Sequence, residues 1–159
     1  MTPTILFLHG LESAPHGSKY RALVKVFGEG SVLAPDFRGV PDAIERLRIA
    51  EEATRGLTGL FLVGSSFGGL VGGLLASQHP ERIRAAVFAA PAFHRPAASG
   101  IERVPEQSII LHGTEDDVVP IEASRTFSKK FGVPVVEVED GHRLKGSEAL
   151  MVGLTRALF

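Results

Sequence analysis

A chain of 159 residues with 44% hydrophobic content is long enough for one well-buried core and too short for two ordinary domains, so one domain over residues 1–159 is expected. With 17 Lys and Arg against 18 Asp and Glu, the formal net charge is -1. That field is too weak to hold a polyanion or an acidic membrane surface, so neither nucleic acid nor membrane is an expected partner. There is no cysteine, which removes disulfides, thiolate metal sites and thiol nucleophiles together.

The opening run, TILFLHG, reads as a first strand; it is too short for a membrane span, has no basic leader, and leaves a cytoplasmic location as the expectation. Tyr20, Leu23, Val24 and Phe27 then recur at helical spacing up to Gly28. SVLAP is a second strand, followed by a helix entered through Pro41 with Ile44 and Leu47 assigned to its inner face. GLFLVG is a third strand, and the helix after it carries Leu70, Val71, Leu74 and Leu75. IRAAVFAA and SIILHG supply the fourth and fifth strands, with a helix from near Pro120 carrying Ile121, Phe127 and Phe131. VPVVEV is the sixth strand, and a last helix presents Leu150, Met151, Leu154 and Leu158.

Strands alternating with helices predict an α/β fold, a doubly wound parallel six-stranded sheet with helices on both faces. Right-handed crossovers bring the loops after all the strands to one edge, where chemistry is expected. Residues 91–105, PAFHRPAASGIERVP, show no clear period and read as an exposed loop, a minimal cover.

Gly64, Ser65, Ser66, Phe67 and Gly68 form G-x-S-x-G at the junction between third strand and helix. A sharp strand-to-helix turn holds its central side chain clear of the backbone only if the residues two before and two after are small. The same turn places Ser66 at a helix N-terminus, where free N–H groups favour developing negative charge. The bland alternative is that Ser66 caps the helix and the glycines serve packing alone. Gly69, Gly72 and Gly73 imply close approach of that helix to the sheet.

A serine hydroxyl needs a base within hydrogen-bond reach, and the base needs an acid that fixes its tautomer. LHGTEDDVVP puts Asp116 and Asp117 after the fifth strand, and DGHRL puts His142 after the sixth. Of the other histidines, His16 and His79 read as surface residues. His9 and His112, each before a glycine at a strand end, read as loop-shaping hydrogen-bonders, and His94 could touch substrate from the long loop. An oxyanion hole would draw one N–H from Phe67 and another from HGLES, from Leu11 with Glu12 as the alternative. Phe37, Phe93, Val119 and Leu144 are candidates for an apolar substrate wall.

FLHGLES, GSSFGG, HGTEDDVVP and DGHRL together resemble the α/β-hydrolase superfamily, within it the small YqiA-like bacterial esterases, over nearly the whole chain. The resemblance implies a minimal α/β-hydrolase fold and a serine hydrolase of carboxylic esters or thioesters without a cofactor. It also implies Ser66 as nucleophile, His142 as base and Asp116, at the family spacing, as the orienting acid. Two departures are expected: the initial antiparallel strands are missing, and residues 91–105 stand where a helix or cap domain would be, so the site should be open. A non-catalytic small-molecule-binding protein on the same fold is the alternative. Nucleotide-loop motifs and close metal-ligand pairs are both missing from the sequence, so no metal is expected. The sequence leaves acyl chain, leaving group and oligomeric state open.

Overall fold

Ile5, Leu6, Phe7 and Leu8 form strand β1 and are all buried. Side chains alternate across a strand, and both faces of this one are covered: Leu6 and Leu8 enter one apolar cluster, Ile5 and Phe7 another. A strand with two buried faces reads as a continuous apolar run, as parallel sheets require. The computed structural model describes residues 4–159; residues 1–3, at the start of the chain, lie outside the described residues.

The other elements are α1 (Ser18–Phe27), β2 (Val32–Leu33), α2 (Ala43–Ala53), β3 (Leu60–Ser65), α3 (Phe67–Gln78), β4 (Ile83–Ala89), β5 (Gln107–Gly113), α4 (Ile121–Phe131), β6 (Val135–Val138) and α5 (Glu148–Ala157). Two short 3-10 turns cover Glu29–Ser31 and Pro96–Gly100. The six strands form one parallel sheet in the order β2-β1-β3-β4-β5-β6. Leu47 and Ala50 of α2, the apolar face of α3 and Phe127 of α4 cover one side of the sheet. Leu23 of α1 and Met151 and Val152 of α5 cover the other. The order reverses at β1, whose connection to β2 runs one way while β3 lies on its other side. A crevice therefore opens beyond the carboxyl ends of β1 and β3.

Helix α2 starts where Asp42 accepts a hydrogen bond from the Glu45 N–H at 3.0 Å, closing the first turn. Its phase differs from the sequence reading: Ile44 is exposed, and Arg46, Leu47, Ala50 and the following Thr54 face inward. In α5, Leu150 is likewise exposed while Met151, Val152 and Thr155 are buried. Residues 91–105 are not a free loop. Phe93 and Ile101 are buried, and Phe93 stacks on Phe127 with ring centroids 3.8 Å apart. Without a cap to carry them, the segment's own apolar side chains close the core above α3. Gly72 and Gly73 explain how α3 fits beneath: side chains there would meet Leu62 and Ile101. No helix among the described residues is long and apolar enough to cross a membrane.

Candidate active site

Strand β3 passes into α3 through Ser66, whose backbone has φ 55° and ψ -116°, a conformation rare for a residue with a Cβ. Hydrogen bonds hold it there. The Ser66 N–H donates to Ala89 O at 2.9 Å, and Ser66 O accepts from Gly69 and Ala92 N–H groups, each at 2.9 Å. The Ser66 side chain makes no cap to its own helix. Instead Oγ lies 2.9 Å from His142 Nε2.

Two loops bring the partners to this point. Gly113, at the end of β5, packs against the backbone of Asp140, where a Cβ would sit 2.1 Å from Asp140 O. Thr114 and Glu115 N–H groups then donate to Val138 O and Asp140 O. This joins the loop after β5 to the loop after β6. His142 Nδ1 lies 2.8 Å from Asp116 Oδ2, while Asp116 Oδ1 accepts from the Val118 and Val119 N–H groups at 2.9 and 2.8 Å. Nδ1 facing a carboxylate carries the proton, which leaves Nε2 free to accept from the Ser66 hydroxyl.

Burial works against the Asp116 carboxylate. The hydrogen bonds from His142 and from the Val119 and Val118 amides outweigh it and hold its pKa below the ordinary aspartate value. The carboxylate is therefore ionised at neutral pH. Asp117, the other acid open in sequence, is exposed and outside this chain of hydrogen bonds.

His9 and His112 shape the walls, as their positions predict. His9 Nδ1 donates to Gly10 O at 2.9 Å while Nε2 accepts from the Phe37 N–H at 2.9 Å. His112 Nε2 lies 3.1 Å from both Val119 O and Asp116 Oδ2, and Nδ1 is 2.7 Å from Ser124 Oγ. Burial, ahead of any neighbouring charge, lowers the pKa of both imidazoles and keeps them neutral. With the folded values depressed, the unfolded chain takes up more protons as pH falls below the ordinary histidine value near 6.5. Their contribution to stability is complete above that value and is lost below it. The urea midpoint is therefore expected to drop between pH 7 and pH 5; a midpoint that rises would contradict neutral burial.

Residues 3–147 match the family model for the alpha/beta hydrolase fold. The chain belongs to the alpha/beta hydrolase fold family. No curated protein matches the sequence significantly. Among solved structures, a protein of the alpha/beta hydrolase superfamily from Xanthomonas campestris pv. campestris is similar at TM-score 0.84 and 23% identity, covering 99% of this chain and 98% of that one. Est1E from Butyrivibrio proteoclasticus gives 0.80 at 18% identity, over 99% of this chain and 87% of that one. A monoacylglycerol lipase from Paleococcus ferrophilus gives 0.79 at 18% identity, over 99% and 95%. Within this family the observed sheet is a minimal form, six parallel strands without a cap domain.

The hydrolase-fold chain does not expose the apolar wall foreseen in sequence. Phe37, Val119 and Leu144 are fully buried and Phe93 nearly so. Leu144, at φ 52°, drops into the α1 and α5 side of the core and anchors the His142 loop. Asp140 braces the same loop, accepting from Gly141 and Gly146 N–H groups and from Ser147 Oγ. In so short a chain, loop-borne apolar residues are drawn into the core they cover. What remains exposed beside the site is Val118, with His94 and Arg95 from the 91–105 segment. An open hollow of about 300 Å³ lies next to His142, lined by Asp117, Val118, Gly141, Arg143 and, at its floor, the buried Leu144 among others. A larger hollow, about 570 Å³, lies along α2 and the C-terminal end of α3, away from the Ser66 turn at that helix's start.

Phe67 follows Ser66 directly at the start of α3, and Leu11 lies in the loop after β1, next to Gly10, which approaches Ser66. Among the described residues neither N–H has a backbone acceptor. Sequence reasoning missed Arg46, which is buried beneath the loop after β1. Its signal was the small-residue stripe of Ala43, Ala50 and Thr54, which turns position 46 inward.

Proposed function

We propose that this chain is a serine hydrolase that cleaves carboxylic esters or thioesters through an acyl-enzyme on Ser66. Family membership supports a hydrolase, and the observation that carries the reading is the continuous hydrogen-bonded chain Ser66–His142–Asp116.

In this mechanism His142 Nε2 takes the Ser66 hydroxyl proton as Oγ attacks the carbonyl carbon. The carbonyl oxygen becomes an oxyanion held by the Phe67 and Leu11 N–H groups. The tetrahedral species collapses as Nε2–H protonates the departing alcohol or thiol. His142 then removes a proton from water, which attacks the acyl carbon and releases the acid, and Ser66 regains its hydrogen. Asp116, kept ionised by its hydrogen bonds, stabilises the imidazolium at each transfer. The open hollow beside His142 supports small-molecule esters that need no deep enclosure.

A fluorophosphonate probe should form one adduct, on Ser66, in the folded protein. Peptide mapping by mass spectrometry checks this; an unreacted Ser66 in folded protein overturns the reading.

A further inference from the structure

Arg46, on α2, is fully buried, and its hydrogen-bond partners among the described residues are all backbone carbonyls. Nε donates to Val40 O at 2.6 Å, Nη1 to His9 O and Gly10 O at 3.1 and 3.2 Å, and Nη2 to Leu11 O at 3.2 Å. Burial of a cation without a carboxylate is unfavourable, and here it pushes the guanidinium pKa down to about 10. The group still carries its charge at neutral pH. A planar fork spreads its donors over three nitrogens and so reaches carbonyls that a single ammonium nitrogen cannot reach together in this spacing.

Those three carbonyls belong to the loop that passes Ser66. A Cβ on Gly10 would lie 3.5 Å from the Ser66 Cβ. In a trans peptide unit the C=O and the following N–H point in opposite directions. Turning Gly10 O toward Arg46 therefore turns the Leu11 N–H away from Arg46. The same guanidinium sits 5.0 Å from the centroid of the Phe67 ring and 5.1 Å from that of Phe37. Phe67 carries the other free N–H, and Phe37 donates its own N–H to His9.

We propose that Arg46 is a positioning residue that sets both halves of the oxyanion hole, gripping the 9–11 carbonyls with its fork and the Phe67 ring with its face. The inference rests on the serine-hydrolase reading above. Lysine keeps the charge at position 46 but gathers its donors on one nitrogen of a flexible stem, so the loop loses its register without losing the buried cation.

Displacement of an oxyanion donor lowers transition-state affinity and leaves ground-state binding alone. Arg46→Lys is therefore expected to lower kcat on an aryl acetate roughly 10- to 100-fold with KM within twofold. The inhibition constant of an aryl trifluoromethyl ketone, whose serine adduct places an oxyanion in the hole, should rise by a similar factor. A purely structural role would lower the active fraction, titrated with the fluorophosphonate, and leave that inhibition constant unchanged. Arg46→Met, compared where it folds, should lose at least as much. If folded Arg46→Lys keeps wild-type kcat, or loses kcat with an unchanged inhibition constant, the positioning role is wrong and the hydrolase reading stands. If the wild-type protein neither hydrolyses the ester nor takes up the fluorophosphonate, both fall.

Discussion

Ser66→Ala is expected to lower kcat on an aryl ester by roughly 10⁴- to 10⁶-fold while the fold stays intact, which is about 5–8 kcal/mol of transition-state stabilisation. The loss is that large because in the proposed mechanism the three side chains act as one unit. Without Oγ, His142 has no proton to take and Asp116 no imidazolium to stabilise, and only binding and the N–H groups of Leu11 and Phe67 remain. The fold survives because the Ser66 side chain does no structural work that alanine cannot do. It makes no cap to α3, and the hydrogen bonds holding the turn are made by its backbone N–H and C=O. Alanine meets the same positive-φ penalty as serine, so the two proteins should unfold within about 0.5 kcal/mol of each other. Steady-state kinetics beside urea melts separate the two effects. An alanine variant that keeps most of its activity would remove Ser66 from the mechanism.

The strands and the loop edge were legible in the sequence because burial on both faces leaves a continuous apolar run, as in Ile5–Leu8, and parallel crossovers leave few topologies. The hydrogen-bonded residues were legible because the chemistry demands particular residue types at strand ends: Ser66, Asp116 and His142 each follow a different strand. The choice between Asp116 and Asp117 rested on resemblance, since one-residue differences in a turn decide which carboxylate points inward. Two kinds of feature are not given by the apolar period alone. The inner face of α2 was misread because a hydrophobic period assigns Ile44 inward, whereas a charged residue satisfied wholly by backbone carbonyls carries no apolar signal. Arg46 is such a residue. The burial of the four residues assigned to an apolar wall was not legible for the converse reason. Phe37, Phe93, Val119 and Leu144 sit on loops at the active edge, but sequence position says nothing about whether a loop side chain faces the crevice or the core, and all four face the core.

Gly68→Ala is expected to destabilise the protein by about 3 kcal/mol or more, although alanine is the better helix former by about 1 kcal/mol. Gly68 lies in the first turn of α3, and a Cβ there would stand 2.0 Å from Leu8 O, 2.5 Å from Leu8 C and 2.8 Å from His9 O. These are backbone atoms at the end of β1 and the start of the loop after it, with Leu8 in register with Gly64 of β3, so no side chain can swing aside. Relief requires α3 to lift from β1, which carries Ser66 and the Phe67 N–H away from the loop that Arg46 grips. Gly153→Ala supplies the contrast. That glycine is exposed in α5 and a Cβ meets nothing within 4 Å, so the same substitution should stabilise by about 0.8–1 kcal/mol. One chemical change thus has opposite signs in two helices, because sterics decide at position 68 and backbone entropy decides at position 153. Equilibrium urea unfolding of both variants measures the difference; a Gly68→Ala protein as stable as wild type would mean that α3 does not pack against β1 this closely. The activity of whatever Gly68→Ala protein still folds should fall with the packing, since lifting α3 shifts Ser66 and Phe67 relative to the loop after β1.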